Sequence, residues 1–163
     1  MVIITIKWVK KVDCGEIIRK EGRKVLTGEY NHNIDEKGRM NFPSRLREEL
    51  GEKFYITRWL DDCLVVFSES EWNSMCDKIK DRPIGSSRDI QRYLFANACM
   101  VEPDKQGRIL IPANLRQRAS LEKDVVVIGV LNHAEIWNRE KWNAVNDSIT
   151  NEMIDSQMRE LEI

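Results

Sequence analysis

The chain has 163 residues, 42% of them apolar and 33% charged, which describes one or two small soluble domains with enough apolar side chains to build a core. Its longest apolar run surrounds Val125-Val126-Val127-Ile128 and falls far short of the roughly 20 residues that a membrane span needs, so no membrane partner is expected. Lys and Arg number 26 against 27 Asp and Glu, and the formal charge of -1 excludes both a globally basic nucleic-acid binder and an acidic disordered chain; any anion must be bound locally.

Residues 1–26 form an N-terminal extension in which Met1 to Val9 alternates like a strand and basic side chains outnumber acidic ones. It reads as a flexible basic arm or an added edge strand. A third reading is a misassigned start, because Lys20-Glu21-Gly22 is what a purine-rich ribosome-binding sequence encodes and Val25 lies where a GTG start codon would follow. The N-terminus has no basic flank before its apolar run and no small-residue cleavage site after it, so Cys14, Cys63, Cys76 and Cys99 are expected to be reduced cytosolic thiols. These cysteines are scattered and only His32 and His133 could join them, so no metal site is expected.

Residues 27–80 read as one structural unit. A strand from Glu29 to Ile34 enters a turn with Asp35 at its start and Gly38 near its end, and a strand from Arg39 to Phe42 leaves it, which predicts a hairpin. Pro43 opens a short helix with Leu46 facing inward, and Gly51 ends it. Strands Phe54 to Arg58 and Leu64 to Phe67 follow. Ser68 and Glu71 form a capping box ahead of a closing helix whose Trp72, Met75 and Ile79 make a core stripe. Residues 81–97 are a connecting helix, entered through the break Arg82-Pro83-Ile84-Gly85-Ser86-Ser87, capped by Ser86 or Ser87, and carrying Ile90, Tyr93, Leu94 and, at its exit, Ala98.

Residues 98–150 then repeat the first unit. The segment D-E-K-G-R-M-N-F-P-S-R-L-R at Asp35 returns as D-K-Q-G-R-I-L-I-P-A-N-L-R at Asp104, so that Asp, Gly, Arg, Pro, Leu and Arg recur at identical offsets. After a one-residue insertion at Ser120 or Leu121, Glu52-Lys53 matches Glu122-Lys123 and Trp72-Asn73 matches Trp142-Asn143. The second unit is thus predicted to hold strands from Ala98 to Glu102 and Arg108 to Ile111, a helix opened by Pro112 with Leu115 inward, and strands Val125 to Val130 and Ala134 to Trp137. Its closing helix is capped by Asn138 and buries Trp142, Val145 and Ile149. The tail, residues 151–163, continues that helix with Met153 or Ile154, Met158 and Leu161 at helical spacing; it is net acidic and packs loosely or on a neighbour.

The mixture of short antiparallel strands and flanking helices gives the fold class α+β. In both turns Asp accepts backbone N–H groups, Gly supplies a positive φ and Arg can pair with the Asp. The basic residues Lys37 and Arg39, with Lys105 and Arg108, protrude from two related hairpins that pseudo-twofold symmetry sets on one face. Lys and Arg on a two-stranded ribbon suit a DNA major groove, where phosphate contacts position the protein and guanidinium forks read guanine. No nucleophile is accompanied by a base and an orienting group, and no glycine-rich phosphate loop appears, so the chain is not expected to be an enzyme.

Gly28-Glu29-Tyr30, the D-x-K-G-R-x-x-x-P turn at Asp35, Cys63-Leu64-Val65-Val66-Phe67 before Glu71-Trp72, D-K-Q-G-R-I-L-I-P at Asp104 and V-V-V-I-G-V at Val125 together resemble the MraZ family, from residue 27 to about 150. The resemblance implies a tandem pseudo-twofold repeat of AbrB-like swapped-hairpin, β-barrel half-units with short flanking helices. It implies a cytoplasmic, nucleoid-associated regulator of the bacterial division and cell wall gene cluster, repressing its own operon. Its expected partners are double-stranded DNA with short direct repeats in the promoter and further copies of itself in a ring, without cofactor or small-molecule ligand. The family's DNA-reading arginine falls on Arg39 and Arg108, with Lys37 and Lys105 as phosphate contacts, while Asp35, Gly38, Pro43, Asp104, Gly107 and Pro112 shape the turns. Three features depart from the family pattern: Asn41 where Leu110 is the apolar counterpart, the unequal pairs Glu36-Lys37 and Lys105-Gln106, and the extension before Leu26. The competing readings are an antitoxin- or sporulation-type regulator of the same fold, which usually carries one such unit, and a ring-shaped protein-interaction scaffold.

Overall fold

The computed structural model describes residues 25–163. The N-terminal strand-like segment, Cys14 and the candidate ribosome-binding sequence lie outside the described residues. In chain order the first unit comprises β1 (Glu29–Asn33), β2 (Arg39–Asn41), α1 (Ser44–Leu50), β3 (Phe54–Arg58), β4 (Leu64–Ser68) and α2 (Glu69–Lys80). The connecting helix α3 (Ile84–Phe95) follows, then β5 (Cys99–Val101), β6 (Arg108–Leu110), α4 (Ala113–Arg118), β7 (Asp124–Val130), β8 (His133–Asn138), α5 (Arg139–Ser148) and α6 (Asn151–Glu160).

The predicted hairpins are tight turns whose two strands separate. Among the described residues, β1-β7-β8-β4-β3-β5 make one antiparallel sheet and β2-β6 make a second, two-stranded one. Each unit therefore lends its first strand to the other: β1 pairs with β7 from Glu29↔Ile128 to Asn33↔Asp124, and β5 pairs with β3 from Phe54↔Val101 to Ile56↔Cys99. This strand exchange corrects the local hairpin reading and gives the swapped arrangement that the resemblance implies. Reversing the sheet order exchanges the two units. The pseudo-twofold axis passes between equivalent residues paired across it, Met40↔Ile109 in the ribbon and Val65↔Glu135 in the sheet.

Alternation along the strands explains the layers. Met40 and Ile109 are each 1% exposed and point from the ribbon onto the sheet's inner face, where Ile56, Leu64, Val66, Val125, Val127, Ala134 and Ile136 join Leu46 and Leu115 of the short helices in one core. Burying side chains of this size contributes about 1.5–3 kcal/mol each, so the ribbon is anchored through its central pair. On the outer face, Trp72 of α2 covers Val65 and Phe67 and stacks on Tyr55 at 4.9 Å, while Trp142 of α5 packs on Trp137. The strand β4 has apolar neighbours on both faces and is buried throughout, which is why its sequence is a continuous apolar run.

Helix ends follow the expected chemistry in part. Gly51 ends α1 at φ 96° with its N–H bonded to the Arg47 carbonyl, and Ser68 and Asn138 cap α2 and α5 by accepting from Glu71 and Lys141 N–H groups. The Glu71 carboxylate does not close a capping box: it accepts from Asn132 of the other unit at 3.2 Å. Ser86 and Ser87 lie inside α3 and donate back to the Pro83 carbonyl, so neither is the cap; Pro83 itself holds that position. The helix α3 is docked on β3 by Thr57, whose buried hydroxyl donates to the Leu94 carbonyl, and by Tyr93, which donates to the Trp59 carbonyl, while Ile90 stays exposed. The tail does not continue α5. Ile149 and Thr150 are extended, Thr150 caps α6 by accepting from Met153 N–H, and Ile149 is 46% exposed rather than core. Among the described residues no helix is long and apolar enough to cross a membrane.

Candidate nucleic-acid interface

Both turns are built by one carboxylate doing three things. Asp35 Oδ1 accepts from the N–H groups of Lys37 and Arg39 at 2.9 Å each, and its Oδ2 accepts from Arg39 Nε at 2.9 Å and pairs with Nη2 at 2.8 Å. Asp104 repeats this with the N–H groups of Gln106 and Arg108, both at 2.9 Å, and Arg108 Nε at 2.8 Å. The turn closes with Gly38 N–H on the Asp35 carbonyl and Gly107 N–H on the Asp104 carbonyl, both at 2.9 Å, which puts the glycines at φ 81° and 76°. Both carboxyls are held below the usual carboxylate range, first by the backbone N–H of Arg39 or Arg108 and then by the guanidinium beside it, with partial desolvation opposing.

The sheet topology brings the two predicted arginines together. In the ribbon Arg39 lies across from Leu110 and Arg108 across from Asn41, while the intervening Met40 and Ile109 point inward. Arg39, Asn41, Arg108 and Leu110 therefore share the outward face, with the arginines at diagonal positions. Their side chains are 34% and 33% exposed, enough to meet a ligand yet fixed by their aspartates. Lys37 and Lys105 sit exposed at the turn tips, one position apart in the two units. Pro43 and Pro112 stand at the N-caps of α1 and α4 rather than inside them, and their carbonyls accept from Arg47 and Arg116 N–H groups.

Arg47 and Arg116 are part of this site, and sequence reasoning gave them no role. The Arg47 side chain donates through Nε to the Phe42 carbonyl and lays its guanidinium over Gly107 of the other unit, where an added Cβ would lie 2.5 Å from Cζ. Arg116 donates to the Ile111 carbonyl and covers Gly38, with the corresponding distance 2.9 Å. The ribbon is extended by Phe42 N–H on the Gly107 carbonyl and Ile111 N–H on the Gly38 carbonyl, both 3.0 Å, so each turn is braced across the axis. The signal was present: this second arginine recurs at an identical offset in both units. The two guanidinium groups add positive charge behind turns whose own arginines are already paired with aspartate.

Beside the second turn opens a cleft of about 1120 Å³, lined by carboxylates of Glu48, Glu52, Glu69, Glu102 and Asp104 against Arg47 and Lys53. Five carboxylates against two cations leave this wall net acidic. Burial pushes the Cys63 thiol up, and desolvation raises Cys76 and Cys99 as well, so these thiols are poor nucleophiles. Among the described residues no three potential ligands cluster as a metal site.

The chain matches the family model described as "MraZ protein, putative antitoxin-like" twice, over residues 25–92 and 94–162. It is 48% identical over 143 residues to a protein named transcriptional regulator MraZ from Caldicellulosiruptor saccharolyticus, covering 85% of this chain and 100% of that relative. Proteins of the same name from Clostridium botulinum, at 48% over 142 residues, and Heliobacterium modesticaldum, at 51% over 125 residues, are similar over 85% and 76% of this chain and 100% and 87% of their own lengths.

Proposed function

The chain belongs to the MraZ family, and from that membership we propose that it is a sequence-specific DNA-binding transcriptional regulator, not an enzyme, which represses its own division and cell wall gene cluster. The observation that carries this reading is the single outward ribbon face on which Arg39 and Arg108 are each held by an aspartate. A two-stranded ribbon fits the major groove, and a guanidinium already fixed in direction loses little rotamer freedom when it meets the O6 and N7 of guanine. Lys37 and Lys105 at the turn tips contact phosphates on either side.

A subunit with a net charge of -1 binds phosphates weakly by itself. The proposed remedy is avidity: copies assemble in a ring, their ribbons meet successive direct repeats, and each later contact is effectively intramolecular. The exposed Met153, Ile154 and Met158 of α6, 50%, 41% and 43% accessible, support a contact between copies at the tail. In this reading the half-units are 27–80 and 98–150, joined by 81–97, preceded by the extension 1–26 and followed by the tail 151–163, and the protein works at the nucleoid. Footprinting the DNA upstream of its own gene tests the reading. Regularly spaced protected blocks are expected, and protection no different from that of unrelated DNA would overturn it.

A further inference from the structure

The pseudo-twofold axis that maps Arg39 onto Arg108 also maps Asn41 onto Leu110, so the four outward positions of the ribbon are symmetric in their arginines and asymmetric in the residues between them. Leu110 is 56% exposed although its neighbour Ile109 is 1% exposed. A large apolar side chain standing open between charged ones has no packing reason within the chain. Asn41 is likewise exposed, and among the described residues its amide forms no hydrogen bond. One ribbon end thus presents a guanidinium opposite an apolar group, and the other a guanidinium opposite an open amide.

The major groove offers a matching pair of unlike targets. Its one apolar group is the C5 methyl of thymine, and a side-chain amide pairs with N7 and N6 of adenine in the same bidentate way that arginine pairs with guanine. We infer that Leu110 and Asn41 are specificity-determining residues: the Arg39 and Leu110 end reads a thymine methyl beside its guanine, and the Arg108 and Asn41 end reads an adenine edge beside its own. The inference rests on the DNA-binding reading above and deepens it. The unlike pair adds to the inequality of the two turns, Glu36-Lys37 against Lys105-Gln106.

The test uses the full-length protein. Selection from randomised duplex DNA is followed by anisotropy on the selected site in which each thymine is replaced in turn by deoxyuridine, a change that removes only the methyl. At least one replacement is expected to weaken wild-type binding roughly three- to fivefold, the worth of one buried methyl. That replacement has no effect on Leu110→Ala, and Asn41→Leu selects thymine in place of adenine. Both positions are exposed, and far-UV circular dichroism verifies that the variants fold. The inference is overturned if every deoxyuridine position affects wild type and Leu110→Ala equally, or if both variants select the wild-type site. It is also overturned if Leu110→Ala changes only the oligomeric state seen by light scattering, which would make Leu110 a contact between copies. A wild type that selects no sequence at all defeats the DNA-binding reading itself, a failure separate from these.

Discussion

Asp35 and Asp104 show how much of the ribbon face is decided by single side chains. Each carboxylate orders its turn through two N–H groups and aims an arginine, so both tasks depend on its ionisation. Because both folded-state values are depressed, the stabilisation is present above the unfolded carboxylate value of about 3.9 and is lost as the pH falls through the lower folded value. Carboxyl carbon NMR of the folded protein is expected to show both midpoints below that of an ordinary aspartate; midpoints at or above it would mean that the arginine pairs do not persist in solution. The facing glycines give a second residue-scale expectation. At φ 76° and under the Arg47 guanidinium, Gly107→Ala costs about 1–2 kcal/mol of backbone strain and displaces the brace, and Gly38→Ala under Arg116 behaves alike. Urea denaturation measures the loss, and an unchanged midpoint for both variants would contradict the bracing geometry.

The closing helices are held by their tryptophans. Trp72 is 7% exposed, stacked on Tyr55 and edge-on to Phe95 of α3, so Trp72→Ala is expected to cost about 3–5 kcal/mol, read as a lower urea midpoint with unchanged slope. Elements like α2 were legible in the sequence because an N-cap and a helical apolar stripe are local signals. The turn chemistry of Asp35 and Gly38 was legible for the same reason. The partner of β1 was not: alternation in Tyr30 and His32 states which face is buried but is satisfied equally by β2 or by β7, more than ninety residues away. The end of α5 misled for a related reason, since Ile149 and Met153 keep a four-residue spacing across a break that only the Thr150 cap marks. Arg47 and Arg116 were visible as a recurrence, but their role appears only when strand exchange carries each turn to the other unit's helix.

Strand exchange makes the two units one cooperative body. The first unit without β5 and β6 leaves β3 with an open edge and Met40 without Ile109, so a fragment ending after α2 is not expected to fold as a monomer. The full chain is expected to unfold in a single step with coincident tryptophan fluorescence and far-UV circular dichroism, whereas two separated transitions would show that the units fold independently. The same exchange unites Arg39 and Arg108, some seventy residues apart in sequence, on one face, and the central claim is that this face reads DNA. Fluorescence anisotropy on DNA from upstream of its own gene, across a range of salt concentrations and with the double variant Arg39→Ala, Arg108→Ala alongside, tests that claim most directly. The account predicts tight wild-type binding that falls steeply with salt, exceeds binding to scrambled DNA, and is lost in the double variant while its fold is retained. Equal binding by wild type and variant, on cognate and scrambled DNA alike, would contradict it.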